Sequence, residues 1–361
     1  MTDPKKDPAR RCMPVDEWPA SDRAAWRAAL QGGDILDEAG AAAHWRPDTS
    51  KKVASSYGRF LTHLTRQDRL DRTAGPEHRV TPDVLREYIG ELREQVAPVT
   101  LAQRITDLHE ALRVMVPEAE FGFVRRAYRR LSAQARPIRD KRSKVVHPRR
   151  LLDLAFRIMA EAETGVMSET SRACRYRDGL ILALLASRAL RRRNLSTIRI
   201  GHHLVRDERG YVLLFDGEET KNHQPLEVRL PSSLTSHVER YLERYRPTLL
   251  KGKADAALWI SYLGRPMAHG AIYDKIRVIT RREFGVEVNL HLFRDCQATF
   301  MALDDPEHVG AIPAILGHND PHTAERFYNQ AGTVEAARRY QQGIQGLRRR
   351  ITADKRQRRK G

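Results

Sequence analysis

The chain has 361 residues, a length for two or three domains rather than one. Hydrophobic residues make up 41% of it, enough for real cores, and a formal charge of +18 with a pI near 10.2 points to a polyanionic partner. The longest apolar run, Leu180 to Ala186, falls far short of a membrane span, and the opening MTDPKKDPARRC holds no apolar secretory core, so the expectation is a cytoplasmic protein that meets nucleic acid rather than lipid.

Residues 1–45 read as a loosely held segment in which prolines and charges dominate, with one short helix over Asp22–Gln31 before Gly32-Gly33. Residues 46–134 read as a small all-helical domain. Its first helix runs through KKVASSYGRFLTHLTRQ, where Val53, Tyr57, Phe60, Leu61 and Leu64 recur at helical spacing. The second opens at Thr81-Pro82-Asp83, a capped start with proline at the first helical position, and turns Leu85, Tyr88, Ile89 and Leu92 inward. A third covers Leu101–Met115 and a fourth about 120–133.

Residues 135–149 form a basic linker. Over 125–150 eleven Lys or Arg face one acid, Asp140, and Pro137 and Pro148 interrupt a continuous helix. A solvated linker and a strap that crosses a phosphate backbone are both open here, and the rest of the chain favours the strap. Residues 150–347 mix helix and strand. Helices are expected around Leu151–Met159 and over Arg177–Leu190, then short strands at Thr197–Ile200, Tyr211–Phe215 and Leu226–Leu230. Helix returns over Ser232–Arg246, Ala257–Ser261 is a further candidate strand, and the remainder is helical. The fold class is therefore mainly α with a small antiparallel β-sheet. Residues 348–361 are a basic tail that reads as disordered. Cys12, Cys174 and Cys296, odd in number and far apart, suggest neither a disulfide framework nor a zinc ribbon, and they fit lone thiols in a reducing compartment.

Four short motifs follow one another in the second half: Arg191 in ALRRRNL, Lys221 in EETKNHQ, His291 and Arg294 in HLFR, then His318 in LGH with Tyr328 behind it. They contain no paired carboxylates, no metal-ligand spacing and no GxxxxGK[ST] phosphate loop, so neither metal nor cofactor is expected. They do supply what a tyrosine needs to attack a phosphodiester. The planar fork of Arg191 and of Arg294 suits the non-bridging oxygens. Lys221, placed near a hairpin turn, can give a proton to a departing alkoxide. His291 stands one helical turn before Arg294 and shares its face, and either it or His318 can carry a proton or hold a phosphate oxygen. Tyr328 has an ordinary pKa near 10, so it needs cations around it to reach the phenolate. Attack would store the energy of the cut bond in a phosphotyrosine, and resealing would need no ATP.

Taken together, ALRRRNL, the hairpin lysine, HLFR, LGH and the downstream tyrosine resemble the tyrosine recombinase, or phage integrase, family. The motifs cover roughly residues 150–340, and residues 48–133 are similar in pattern to that family's helical core-binding domain. The resemblance implies a SAM-like N-terminal domain and a catalytic domain over 150–347. It implies Arg191 and Arg294 on the scissile phosphate, Lys221 as general acid toward the 5′-hydroxyl, His291 and His318 as acid/base and phosphate ligand, and Tyr328 joined to the 3′-phosphate. Double-stranded DNA as partner, a homotetramer on paired sites and accessory DNA-bending proteins come with it. Three positions depart from the family pattern: Asn194 stands where an acid is usual, Asp295 where a histidine is frequent, and Tyr328 one residue beyond the usual spacing from His318, which Phe327 fills. Strand relaxation of the type IB topoisomerase kind, or a DNA-binding regulator that has lost catalysis, are the alternatives. Beyond Tyr328 a stripe of Val334, Ala337, Tyr340, Ile344 and Leu347 either packs on its own domain or docks on a neighbouring protomer.

Overall fold

The structure is a computed structural model that describes residues 7–34, 38–136, 142–188, 190–221 and 223–304. The chain divides into two compact units, residues 1–140 and 141–361.

In the first unit proline, rigid at the backbone angle a helix needs, opens most of the helices. After α1 (Ala20–Leu30), Pro47 starts α2 (Pro47–Arg66), Pro76 the short α3 (Pro76–Arg79), Pro82 α4 (Pro82–Gln95) and Pro98 α5 (Pro98–Met115); α6 is Gly122–Gln134. The expected cap is present: the Thr81 hydroxyl accepts from the Val84 amide at 3.3 Å. Tyr57, Phe60, Leu61, Tyr88, Leu92, Ile105 and Leu108 close the core of these helices.

The expectation of a loosely held 1–45 is corrected for its described residues. Met13, Trp18, Trp26 and Ala42 are buried in that same core. Trp18 meets Trp26 and Tyr57 edge to face, with ring centroids 5.8 and 4.9 Å apart, and its indole N–H donates to the Met13 carbonyl at 2.9 Å. The segment can lie against α2 because position 58 is glycine: a Cβ there would sit 2.1 Å from the Met13 carbonyl oxygen. A few aromatic side chains thus outweigh the prolines and charges around them. On its outer surface, by contrast, α6 exposes Arg125, Arg126, Arg129 and Arg130, two i,i+4 pairs that make one basic stripe.

The second unit begins with α7 (Pro148–Thr164) and α8 (Glu169–Ser187), which pack closely at Gly179, where a Cβ would meet the Met159 side chain at 2.7 Å. A single turn, α9 (Arg192–Ser196), leads to a three-stranded antiparallel sheet of β1 (Leu204–Asp207), β2 (Gly210–Phe215) and β3 (Leu226–Arg229), in the order β1-β2-β3. Then come α10 (Thr235–Arg240), a π-helical turn over Tyr241–Tyr245, α11 (Arg246–Leu250), α12 (His269–Phe284) and α13 (Leu290–Asp304). Leu204, Leu213 and Phe215 turn inward onto Leu180, Leu184 and Trp259 in one apolar core.

Two strand expectations are corrected. The first strand is Leu204–Asp207 rather than Thr197–Ile200, and within the latter Arg199 and Ile200 make isolated bridges to Ala257 and Leu204. The chain turns at Gly201, whose φ of 78° suits glycine, and only then meets β2 in the register Leu204↔Leu213. Ala257–Ser261 likewise forms bridges, Arg199↔Ala257 and Ile260↔Pro266, and no named strand. Among the described residues no helix is long and apolar enough to cross a membrane.

Candidate active site

Arg191 owes its place to the end of α8. That helix is buried along Leu180–Ala186 and stops at Ser187, and Arg191, extended with φ −65° and ψ 146°, caps α9. The turn is held from below by the Trp259 indole, which donates to the Leu195 carbonyl at 2.9 Å. Of three consecutive arginines the extended one is half-buried, and burial lowers its pKa. Arg192 and Arg193, already helical, point to solvent, with Arg192 lying 5.9 Å from the centroid of Tyr273. Backbone conformation therefore separates the candidate from its neighbours, which composition does not.

His291 and Arg294 lie one turn apart on α13, as their spacing predicts. The helix starts at Asn289, whose side chain accepts from the Leu292 amide at 3.0 Å, and it buries Leu290, Leu292, Phe293 and Cys296. Gln297 joins it to α8. Its side-chain amide donates to the carbonyls of Ala186 at 2.9 Å and Leu185 at 3.3 Å, which belong to the last turn of a helix and have no partner within it. By this bond α13 is held against the segment that carries Arg191. His291 is exposed, while Arg294 is 8% exposed. Burial, and then the nearby charge of Arg191, push the Arg294 guanidinium down to about 10, partly offset by Asp295. Two like charges close enough to influence one another in a poorly solvated place would favour an anion near them.

Lys221 is exposed and lies in the connection between β2 and β3, as expected. The connection is firmly built. A helical turn over Gly217–Glu219 carries a reciprocal cap between Asp216 and Glu219. Thr220, 1% exposed, sets its hydroxyl 2.7 Å from the Gln224 carbonyl, which closes the loop around Lys221. Glu219 is tied outward as well: one carboxylate oxygen lies 2.9 Å from His203 Nε2, and its backbone carbonyl accepts from the Asn194 side chain at 3.5 Å. The bond to His203 holds Glu219 below the usual carboxylate range. At position 194 a carboxylate could not donate to that carbonyl, whereas asparagine can.

His203, Glu219 and Gln297 were not singled out from the sequence. The D-x-x-E spacing of Asp216 and Glu219 was a visible capping signal; the partnership of Glu219 with His203, sixteen residues apart in sequence, was not. Donor atoms of His202, His203 and Glu219 lie within 4.8 Å of one another, close enough to hold an ion. Hydrogen bonding answers that arrangement differently. His203 Nδ1 accepts from the Arg199 amide at 3.0 Å, so the ring proton sits on Nε2 and is donated to Glu219, leaving His203 no lone pair for a metal. His318 and Tyr328 lie outside the described residues, as do Phe327 and the stripe from Val334 to Leu347.

No family model matches the chain. Over 173 residues it is 26% identical to tyrosine recombinase XerD of Staphylococcus aureus, covering 46% of this chain and 54% of that protein. Tyrosine recombinase XerD of Staphylococcus haemolyticus is 25% identical over 173 residues, with the same coverage. The chain thus spans about half the length of the curated relatives it matches. In fold it is similar to the XerH site-specific recombinase solved with a palindromic difH substrate in a post-cleavage complex, with a TM-score of 0.54 and 13% identity over 78% of this chain and 75% of that one. By these matches the chain is similar in sequence to tyrosine recombinases over about half its length, and its mainly helical fold with a small three-stranded antiparallel sheet is similar to that of the solved recombinase.

Proposed function

We propose that this chain is a site-specific DNA recombinase that cuts and rejoins strands through a 3′-phosphotyrosine. The proposal is supported by a half-buried Arg191, next to the end of α8 to which Gln297 of α13 is bonded, and a buried Arg294 on α13 whose pKa the charge of Arg191 helps to lower. Duplex DNA offers the phosphate such a pair would hold, and the basic stripe on α6 offers a second hold on the backbone.

In this mechanism the two guanidinium groups bind the non-bridging oxygens and stabilise the charge that grows on them in the pentacovalent state. The Tyr328 phenolate oxygen attacks phosphorus, the bond to the 5′-oxygen breaks, and Lys221 gives that oxygen its proton. His291 and His318 carry the phenol proton away or hold a phosphate oxygen. The 5′-hydroxyl of another strand then attacks the phosphotyrosine and releases the tyrosine, so bond energy is conserved without ATP, and no step calls for a metal or cofactor. A homotetramer on two paired sites, helped by accessory DNA-bending proteins, would perform the exchange at the nucleoid in the cytoplasm.

The test uses a duplex library nicked one step beyond a randomised site, so that cleavage loses a short fragment and traps the covalent complex. The native chain should be recovered joined to DNA, and Tyr328→Phe should not. Arg191→Ala or Arg294→Ala should slow adduct formation about 100-fold or more, as loss of one transition-state donor does. No adduct with the native protein would point to a binding regulator and end the proposal. Relaxation without recombinant products from a two-site plasmid would replace recombination with the topoisomerase reaction.

A further inference from the structure

We infer that His203 and Glu219 are positioning residues for Lys221, fixing by a chain of hydrogen bonds where the proton donor of strand cleavage stands relative to the Arg191 segment. The inference rests on the recombinase reading above and deepens it.

A general acid must come within hydrogen-bond reach of the oxygen it protonates, and displacement by about 1 Å costs about 100-fold in rate. A lysine on an exposed strand connection is poorly suited to that demand, because its backbone is free to move. Here the backbone is fixed from one side. The Arg199 amide donates to His203 Nδ1 at 3.0 Å, and His203 Nε2 donates to Glu219 at 2.9 Å. The other carboxylate oxygen of Glu219 accepts from the Asp216 amide at 3.1 Å, at the base of the connection. Asn194, on the turn that Arg191 caps, reaches the Glu219 carbonyl. Glu219 is therefore the point where α9, the segment after it and the β2–β3 connection meet. Buried Thr220 passes that position on to Lys221, the next residue. His203 is 3% exposed and packs 5.1 Å from the Phe215 ring, so its imidazole is held in place on the buried side of the chain, while the Glu219 carboxylate is partly exposed. Neither His203 nor Glu219 need touch DNA.

The distinction between positioning the acid and holding up the fold can be read directly from the leaving group. In a duplex whose scissile phosphate carries a bridging sulfur at the 5′ position, the P–S bond breaks and a thiolate departs with no proton. The site sequence would be the one recovered from the nicked library, synthesised with oxygen and with sulfur. With oxygen DNA, His203→Phe and Glu219→Gln should each form the covalent adduct about 10- to 100-fold more slowly than the native chain. With sulfur DNA both should match it, as Lys221→Ala should, and the double variant should be no slower on oxygen DNA than the worse single one. Equal slowing on both duplexes, or no slowing on either, overturns the inference and leaves the recombinase reading standing. Glu219→Gln decides alone if His203→Phe does not fold. Recovery of no adduct with the native chain overturns both, and an equal loss on both duplexes for Lys221→Ala removes the proton donor that the inference needs.

Discussion

Arg294 is the most informative side chain in the described part of the molecule. A guanidinium ordinarily keeps its proton whatever surrounds it, yet burial and the charge of Arg191 bring this one down to about 10. At neutral pH both groups remain charged, and an oxyanion between them would relieve the repulsion and repay the lost hydration. Inorganic sulfate should therefore raise the midpoint of thermal unfolding of the native chain above that of Arg191→Gln at the same concentration. Sulfate stabilises proteins generally by exclusion from their surface, and the comparison removes that part. A difference of about 2–4 °C corresponds to about 1 kcal/mol for a unit of this size. Equal increments in the two proteins would show that the pair does not bind the anion. The sequence alone pointed to this pair through ALRRRNL and HLFR. What it could not show is that Arg191 is extended and half-buried while Arg192 and Arg193 are helical and exposed, because that depends on where α8 stops.

Helices were legible as elements because each carries its own signals. Pro82 behind the Thr81 cap marks a start that appears in the structure, and the apolar spacing in α2 and α4 marks the faces that are buried. Strands were less legible. Thr197–Ile200 has the β-branched residues of a strand, yet LVRD at Leu204–Asp207 takes that place, since pairing with β2 is what makes a strand and no local residue can announce it. The connection after β2 was readable as a hairpin with a lysine in it, but not as a segment anchored on His203. At this scale α6 makes its own prediction. If the stripe of Arg125, Arg126, Arg129 and Arg130 meets phosphates, then Arg129→Gln or Arg130→Gln should weaken duplex binding for every sequence alike. The slope of log affinity against log salt should become shallower by about 0.9 for each phosphate that the variant no longer neutralises. Fluorescence anisotropy over a salt series measures it, and an unchanged slope would assign the stripe to solvent alone.

Across the whole molecule, each unit has an apolar core of its own, one built on Trp18, Tyr57, Phe60 and Tyr88 and the other on α8, the sheet and α13. Each unit buries what it needs within itself, and the first includes residues well before 46. A fragment of residues 1–140 should accordingly unfold in a single cooperative thermal transition, followed by circular dichroism. A fragment that begins at 46 should melt lower or not fold, since it lacks Trp18 and Trp26; if it were as stable, the aromatic cluster would be dispensable. By itself the sequence determined the charge, the helices and the order of the motif residues, because these follow from composition and from spacing within a few turns of chain. Only the tertiary structure decided that Trp18 and Trp26 belong to a core, that Gln297 joins α13 to the end of α8, and that His203 holds the connection bearing Lys221. Each of these joins groups far apart in sequence, and such meetings arise from packing, which no local pattern encodes.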